Sequence, residues 1–218
     1  MKTLIPLSLF AGVALLSAAT GARPDQARAA EPPSRRAAYS YTVSTTGNEA
    51  RYRVREQLAG FDFPNDAIGR TSAVTGAINF DDSGAIVAAG SQINIGVGGL
   101  TSDKERRDGF VRRRLLETDS FPTVTLALTS ASGVNLPLAE ADSSRFTLTG
   151  NLTVKRETRP TTWQVTAIRS GDVVTGTATT AFTFADFNME KPRVRSVLSV
   201  ADTIRLEYDF QLERATTP

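Results

Sequence analysis

The sequence predicts an all-β fold, an antiparallel up-and-down barrel of about eight strands with one inserted α-helix. Three observations lead to this prediction. Apolar residues recur at every second position through most of residues 39–214, which is the pattern of strands with one buried face. One segment, residues 102–117, departs from that period. The strands over residues 145–155 and 172–185 are long and mix large with small inward residues, which favours a barrel over a sandwich.

The first strands are short and lead into a hairpin. Alternation marks strands at residues 39–43, 52–54 and 74–80. A turn with the sequence Asp-Asp-Ser-Gly at residues 81–84 leads into a strand that ends near Val97. Residues 70–97 are therefore predicted to form a β-hairpin.

The inserted helix is predicted from a capping box, Ser102-Asp103-Lys104-Glu105. In such a box the serine hydroxyl and the glutamate carboxylate each bind a backbone N–H that has no partner at a helix start. We expect the helix to run to about Glu117, because Pro122 disfavours helix shortly beyond it. The residues available to pack inward are Phe110, Val111, Leu115 and Leu116.

Five strands are predicted after the helix, at residues 124–128, 146–154, 163–167, 174–184 and 204–212. Gly150, Gly176 and Ala178 fall on their inward faces. Small inward residues would leave space inside, and an eight-stranded barrel is either filled by side chains or holds one small ligand. The alternative is that the glycines mark bulges or bends and that nothing is bound.

The N-terminus has the layout of a secretory signal peptide. Lys2 precedes an apolar run, and small residues allow cleavage after Ala22 or Ala29, the second having the better pattern. We expect residues 1–29 to be the signal peptide, residues 30–38 a disordered leader and residues 39–214 one soluble domain in the periplasm or outside the cell. The formal charge of +2 then falls to zero, because the signal segment contains three basic residues and one acidic residue, Lys2, Arg23, Arg28 and Asp25.

The composition excludes much catalytic chemistry. The chain has no Cys and no His, so it has no thiolate nucleophile, imidazole base, zinc finger or disulfide. Asp81 and Asp82 form a carboxylate pair, but such pairs in hairpin turns usually serve turn geometry. We expect no enzymatic activity, no metal and no cofactor, although an exported hydrolase that uses carboxylates is a weaker alternative.

Basic residues are concentrated on the predicted helix, at Lys104, Arg106, Arg107, Arg112, Arg113 and Arg114. Arginine suits phosphate or carboxylate, so this cluster can hold an anionic headgroup at a barrel mouth or can form a solvated face of near-neighbour ion pairs. Nucleic acid is not expected, since the total charge is nearly balanced and no aromatic residues are interleaved with the basic ones.

Several ordered motifs together resemble the YceI family. They are the run from Ile93-Asn94-Ile95 through Leu100-Thr101-Ser102-Asp103, Arg107-Asp108 and Leu115-Leu116-Glu117 to Phe121-Pro122-Thr123, then Leu148-Thr149-Gly150-Asn151-Leu152-Thr153, Arg159-Pro160-Thr161-Thr162-Trp163 and Phe184-Ala185-Asp186-Phe187-Asn188-Met189. The chain departs from that family at Lys155-Arg156-Glu157, where relatives often have His-Gly, and at Asn188, where they have Gly. Asparagine tolerates the left-handed backbone that such a turn needs.

The resemblance implies an elongated, lipocalin-like barrel whose apolar tunnel holds a polyisoprenoid, an isoprenoid quinone or a similar long-chain lipid, without catalysis. We predict that Arg107 and Asp108 lie near the polar headgroup. A transient membrane contact and a homodimer are both compatible with the sequence, and a protein-interaction or stress-response module with a packed barrel is the competing interpretation. The residues predicted to line the tunnel are Leu126, Leu128, Leu148, Trp163, Val165, Phe182, Phe184, Leu206 and Phe210.

Overall fold

The computed structural model describes residues 36–60 and 62–215. The predicted signal peptide and residues 30–35 of the predicted leader lie outside the described residues. Ala38, the last residue of that leader, donates its backbone N–H to the carbonyl oxygen of Phe80 at 2.8 Å.

The described residues form ten strands and one short helix that continues as a π-helical turn, together with a 3₁₀ turn near the last loop. The elements are β1 (Tyr39–Val43), β2 (Glu49–Leu58), β3 (Asn65–Thr71), β4 (Val74–Phe80), β5 (Gln92–Gly96), α1 (Glu105–Phe110), the π-helical turn Val111–Leu115, β6 (Thr123–Ser132), β7 (Ser143–Val154), β8 (Glu157–Ser170), β9 (Val173–Thr183), the 3₁₀ turn Ala185–Phe187 and β10 (Val197–Arg214).

The ten strands occupy eight positions in a closed antiparallel barrel. β10 pairs with β9 along one side, and along its other side it pairs first with β2 and then with β1. On the far side of these two strands, β3 pairs with β2 and β4 pairs with β1. β1 and β2 therefore act as one interrupted strand, as do β3 and β4, and the pairing of β1 with β10 closes the sheet. The predicted barrel is confirmed.

Asn48 stabilises the interruption between β1 and β2. Its side-chain NH₂ donates to the carbonyl oxygens of Ser44 at 2.8 Å and Thr46 at 3.0 Å. Its side-chain oxygen accepts from the Tyr208 hydroxyl at 2.7 Å and from the Gln211 backbone N–H at 3.1 Å. A buried backbone that leaves the sheet needs such partners. Asn48 thus supplies the pairing that the ladder loses at this kink.

The predicted hairpin over residues 70–97 contains a longer connection than expected. β4 and β5 pair in antiparallel fashion, but β5 begins only at Gln92. The Asp81 carboxylate accepts from the Ser83 backbone N–H at 2.9 Å, the Ser83 hydroxyl at 2.6 Å and the Ala85 backbone N–H at 3.0 Å. Asp81 therefore stabilises the turn itself.

The predicted capping box is wrong. Helix α1 begins after Lys104, which has an extended backbone and makes no side-chain capping bond. Ser102 lies two residues before that cap, and its hydroxyl donates to the Asp108 carboxylate at 2.6 Å. The helix also stops before Glu117, where we expected its end, because the chain is π-helical from Val111 and Glu117 has a positive φ of 52°. A motif match fails here because a carboxylate inside the helix competes for the serine.

Candidate functional site

The barrel encloses an apolar cavity of about 210 Å³. All nine residues predicted to line a tunnel lie along its wall. Their side chains project inward because residues two apart in a strand share one face. Phe184 reaches the cavity from outside the strands, since β9 ends at Thr183 and Phe184 is the N-cap residue of the 3₁₀ turn. The predicted extension of the strand to Phe184 is therefore wrong, although the residue is buried.

The two ends of the barrel are covered by different elements. We name them by those elements: the helix end and the β4–β5 end. At the helix end the cavity contacts Val111 and Leu115 from the π-helical turn and Phe184 and Met189 from the segment before β10. At the β4–β5 end it contacts Phe80 at the end of β4 and Val134, Leu136 and Leu138 from the β6–β7 connection.

Two inward glycines allow neighbouring groups to approach and do not leave open space. A Cβ at Gly176 would lie 2.6 Å from the ring of Phe210 and 2.1 Å from the Thr166 carbonyl oxygen. A Cβ at Gly150 would lie 2.9 Å from the side chain of Leu126. The interpretation that these glycines leave space is therefore wrong, because adjacent side chains and backbone fill it. Ala178 does line the cavity.

Tyr52 presents an unpaired hydroxyl at the cavity wall. Its ring lies against Gly69 of the neighbouring strand, where a Cβ would come within 2.2 Å of the ring. Its oxygen is buried and has no hydrogen-bond partner within the part of the chain that the structure describes. Burial raises the pKa of Tyr52 to about 12, so the phenol is a neutral donor at physiological pH. Sequence reasoning missed this residue, because alternation marks a tyrosine as inward without showing whether its hydroxyl is paired.

Several other polar groups at the wall have partners. Trp163 donates its ring N–H to the Thr161 hydroxyl at 3.0 Å, and that hydroxyl donates to the Gly150 carbonyl oxygen at 3.2 Å. Burial also raises the pKa of Tyr208, whose hydroxyl is bound to Asn48. Unlike these groups, Tyr52 has a buried hydroxyl that is free to donate.

Glu207 is the one acidic residue among the described residues that line the cavity. Its carboxylate accepts from Arg53 at 3.0 Å and from Arg51 at 3.3 Å. The hydrogen bond from Arg53 holds the pKa of Glu207 below its usual range, with a smaller contribution from Arg51. Further ion pairs, Arg51 with Asp209 and Arg53 with Asp66, extend this network across β10, β2 and β3.

Arg107 and Asp108 both form contacts within the protein and do not line the cavity. Arg107 forms ion pairs with Glu56 of β2 at 2.5 Å and with Asp103. Asp108 is buried, and it accepts from the Ser102 backbone N–H at 2.8 Å as well as from the Ser102 hydroxyl. Together they attach α1 to β2 and to the loop before the helix. The headgroup contact predicted for these two residues stays a prediction.

The departures from the family pattern are well accommodated. Lys155 has a positive φ of 56° in the turn between β7 and β8, and its ammonium pairs with Glu117 at 2.5 Å. The Arg156 guanidinium lies 4.5 Å from the centre of the Phe121 ring. Asn188 adopts the expected left-handed conformation, with φ of 50°. The turn is therefore bonded to the loop that follows the π-helical turn.

The described residues contain no cluster of acidic side chains with the geometry of a metal site. No helix in that same part of the chain has both the length and the apolarity to span a bilayer.

A closed antiparallel barrel around an apolar cavity, with a helix covering one end, defines a lipocalin-like protein. Residues 41–212 match the YceI-like domain family, which is most of the chain. The protein belongs to that family, as its motifs predicted. No curated protein matches the chain.

Solved structures share this fold. A polyisoprenoid binding domain from Saccharophagus degradans, described as implicated in plant cell wall breakdown, has a TM-score of 0.63 at 14% identity, over 80% of this chain and 98% of that chain. BcnA of Burkholderia cenocepacia has a TM-score of 0.56 at 18% identity, over 80% and 99%. The Campylobacter jejuni YCEI protein has a TM-score of 0.54 at 13% identity, over 74% and 91%.

Proposed function

We propose that this protein binds the tail of a long-chain isoprenoid or similar amphiphilic lipid in its barrel cavity, and that it is an exported carrier without catalytic activity. The observation behind the proposal is the apolar cavity, to which residues from both ends and most strands contribute. The description of the Saccharophagus degradans relative as a polyisoprenoid binding domain supports the choice of ligand class.

The energetics of such a site come mainly from the tail. Burying each CH₂ contributes about 0.8 kcal/mol, so an isoprene unit of about five carbons contributes up to about 4 kcal/mol when fully buried. The cavity of about 210 Å³ is smaller than the roughly 300–1,000 Å³ of typical small-molecule sites. We therefore expect affinity to rise steeply with chain length at first and then to level off once the cavity is full.

The Tyr52 hydroxyl is the group best suited to orient a polar head. It is a buried, neutral donor at the wall without a protein partner among the described residues. A carbonyl or hydroxyl oxygen on the ligand would accept its proton, at a net gain of about 0.5–1.5 kcal/mol. Orientation by one hydrogen bond and affinity from the tail together describe a carrier with loose headgroup selectivity.

The two competing functions are less well supported. A carboxylate-based hydrolase needs an acid and a base near the substrate, whereas Glu207 is one carboxylate and is held by two arginines. A packed barrel that serves only as a protein-interaction module does not require an apolar cavity, which costs packing energy when it is left unfilled.

The test is a chain-length series measured on the purified protein. Isothermal calorimetry with isoprenol, geraniol, farnesol and geranylgeraniol should show undetectable binding for isoprenol and tighter binding with each longer alcohol until a plateau. Native mass spectrometry of protein purified from its source should show a co-purifying lipid. Absence of uptake across the whole series, together with a lipid-free native mass, would refute the carrier function.

Export is tested separately by the mass of the mature protein. A chain recovered from the periplasm or medium that begins at residue 23 or residue 30 would match cleavage after Ala22 or Ala29. An intact N-terminus on protein confined to the cytoplasm would contradict export and leave the lipid-binding proposal unaffected.

A further inference from the structure

The connecting segments at the two ends of the barrel differ in charge. Those at the helix end, residues 59–64, 97–122, 155–156 and 184–196, contain eleven basic and eight acidic residues. Those at the β4–β5 end, residues 36–38, 81–91, 133–142 and 171–172, contain one basic and five acidic residues. The mature chain is neutral as a whole, so this asymmetry makes the barrel electrically polar along its axis.

Exposed apolar side chains are concentrated at the same basic end. Phe63 is 80% exposed, Leu198 67% and Val194 43%. The other exposed large apolar residue of the described chain, Ile168, lies near the end of β8 and so at the β4–β5 end. A phenylalanine that is four-fifths exposed is costly in water unless it has a partner.

Phe63, Val194 and Leu198 belong to two segments that are joined. Leu58, at the end of β2, pairs with Val197, at the start of β10. The Ala59 backbone N–H donates to the Ser196 carbonyl oxygen at 3.0 Å. The β2–β3 hairpin, which contains Phe63, therefore lies beside the loop before β10. We call the described residues of these two segments, 59–60, 62–64 and 190–198, the tip.

The basic residues of the tip have no intramolecular partners. Lys191, Arg193 and Arg195 are exposed, and no hydrogen bond or ion pair engages their side chains within the described residues. Arg106, Arg113 and Arg114, on α1 and the π-helical turn, are also exposed and have no side-chain hydrogen bond or ion pair within the described residues, so they extend the basic surface beyond the tip. Other arginines near this end are engaged. Arg107 is paired with Glu56, and Arg159 with Glu157. Two acidic residues, Asp62 and Glu190, accompany the three free cations.

From this arrangement we propose that the tip docks the protein onto an anionic lipid bilayer. Phe63, Val194 and Leu198 would enter the boundary between headgroups and acyl chains, and the three cations would bind lipid phosphates. Apolar residues flanked by Lys and Arg are the composition of interfacial membrane contacts. Charge complementarity favours an anionic surface, and the acidic β4–β5 end would be repelled by it.

The measurement is co-sedimentation of the full mature protein with vesicles of phosphatidylcholine alone, or of phosphatidylcholine mixed with phosphatidylglycerol. Each Lys or Arg near an anionic surface contributes about fivefold in partitioning. We expect the wild type to prefer the anionic vesicles by about 100-fold at low salt, and we expect the preference to shrink as salt is added. The K191Q/R193Q/R195Q variant should lose most of this preference.

A matched control removes three charges elsewhere. Arg36, Arg145 and Arg205 are also exposed, but they lie at the β4–β5 end or on the outer wall, so R36Q/R145Q/R205Q should bind like the wild type. A second variant, F63S/L198S, should weaken binding to both vesicle types and leave thermal unfolding unchanged, because neither side chain is packed in the core.

The proposal is overturned if wild type does not sediment with anionic vesicles, or if the tip and control variants lose binding equally. The vesicles contain no prenyl alcohol, so docking and lipid uptake are measured independently. A protein that takes up farnesol without docking would refute only the docking surface, and one that docks without uptake would refute only the carrier function.

Discussion

Replacing Ala178 with leucine should block the cavity from the middle of β9. Ala178 is 8% exposed and lies at the cavity wall between Val165 and Tyr208 on the adjacent strands. Leucine adds three carbon atoms, which would displace about three methylenes of a bound tail. At about 0.8 kcal/mol per CH₂ this costs about 2.4 kcal/mol, or about a 60-fold loss of affinity.

The intrinsic fluorescence of Trp163 offers an assay, because it is the single tryptophan of the chain and lies at the cavity wall. Farnesol titrations of the wild type and A178L would give the affinity ratio, and calorimetry would check it. The control is A181L, which adds the same three carbons at an exposed position of the same strand. Equal affinities for wild type, A178L and A181L would refute a tail lying against β9. A thermal unfolding scan confirms that each variant is folded.

Three further substitutions test other groups of the site. Tyr52→Phe should weaken binding of a prenyl alcohol by about 2- to 12-fold if the hydroxyl donates to the ligand, and unchanged affinity would contradict that contact. Denaturant unfolding should show no loss of stability, since the hydroxyl has no partner among the described residues. The hydrogen bond from Arg53 lowers the pKa of Glu207 in the folded state. The ionised Glu207 therefore stabilises the folded protein above the unfolded pKa of about 4.3, and this contribution is lost as pH falls through the lower folded pKa. Glu207→Gln should therefore reduce the fall in melting temperature on acidification, and an unaltered acid profile would count against this role. Asp108→Ala should lower the free energy of unfolding by about 1–3 kcal/mol, because the half-buried Ser102 N–H and hydroxyl lose the acceptor that they share. Farnesol affinity should be unchanged, and a selective loss of affinity would instead support the headgroup prediction.

The cavity wall could be predicted from sequence because strand alternation is a local property. Each of the nine predicted residues lies on the inward face of its strand or just beyond it. Phe184 shows how robust this is, since its strand ends one residue earlier and the side chain is nevertheless buried. A period of two identifies the buried face without requiring accurate strand ends.

Contacts between distant residues could not be predicted in this way. Ser102 has the sequence of a capping residue, but the Asp108 carboxylate, one turn into the helix, takes its hydroxyl. Gly176 is inward and small, but Phe210 on the neighbouring strand occupies the adjoining space. Asn48 stabilises the kink between β1 and β2 through Tyr208 and Gln211, far away in sequence. Each error concerns which partner a residue meets across the barrel.

The charge asymmetry gives the proposed lipid transfer a direction. The tip is continuous with the segment that contains Phe184 and Met189, and both residues line the cavity. A barrel docked by its tip would therefore present this end of its apolar wall to the bilayer, with the π-helical turn and the segment before β10 covering the cavity there. Docking by the other end would place five acidic residues of its connections against the membrane. The net charge would be zero if residues 1–29 are removed as the proposed signal peptide, so it is the separation of charge along the barrel, rather than the total charge, that would select the orientation.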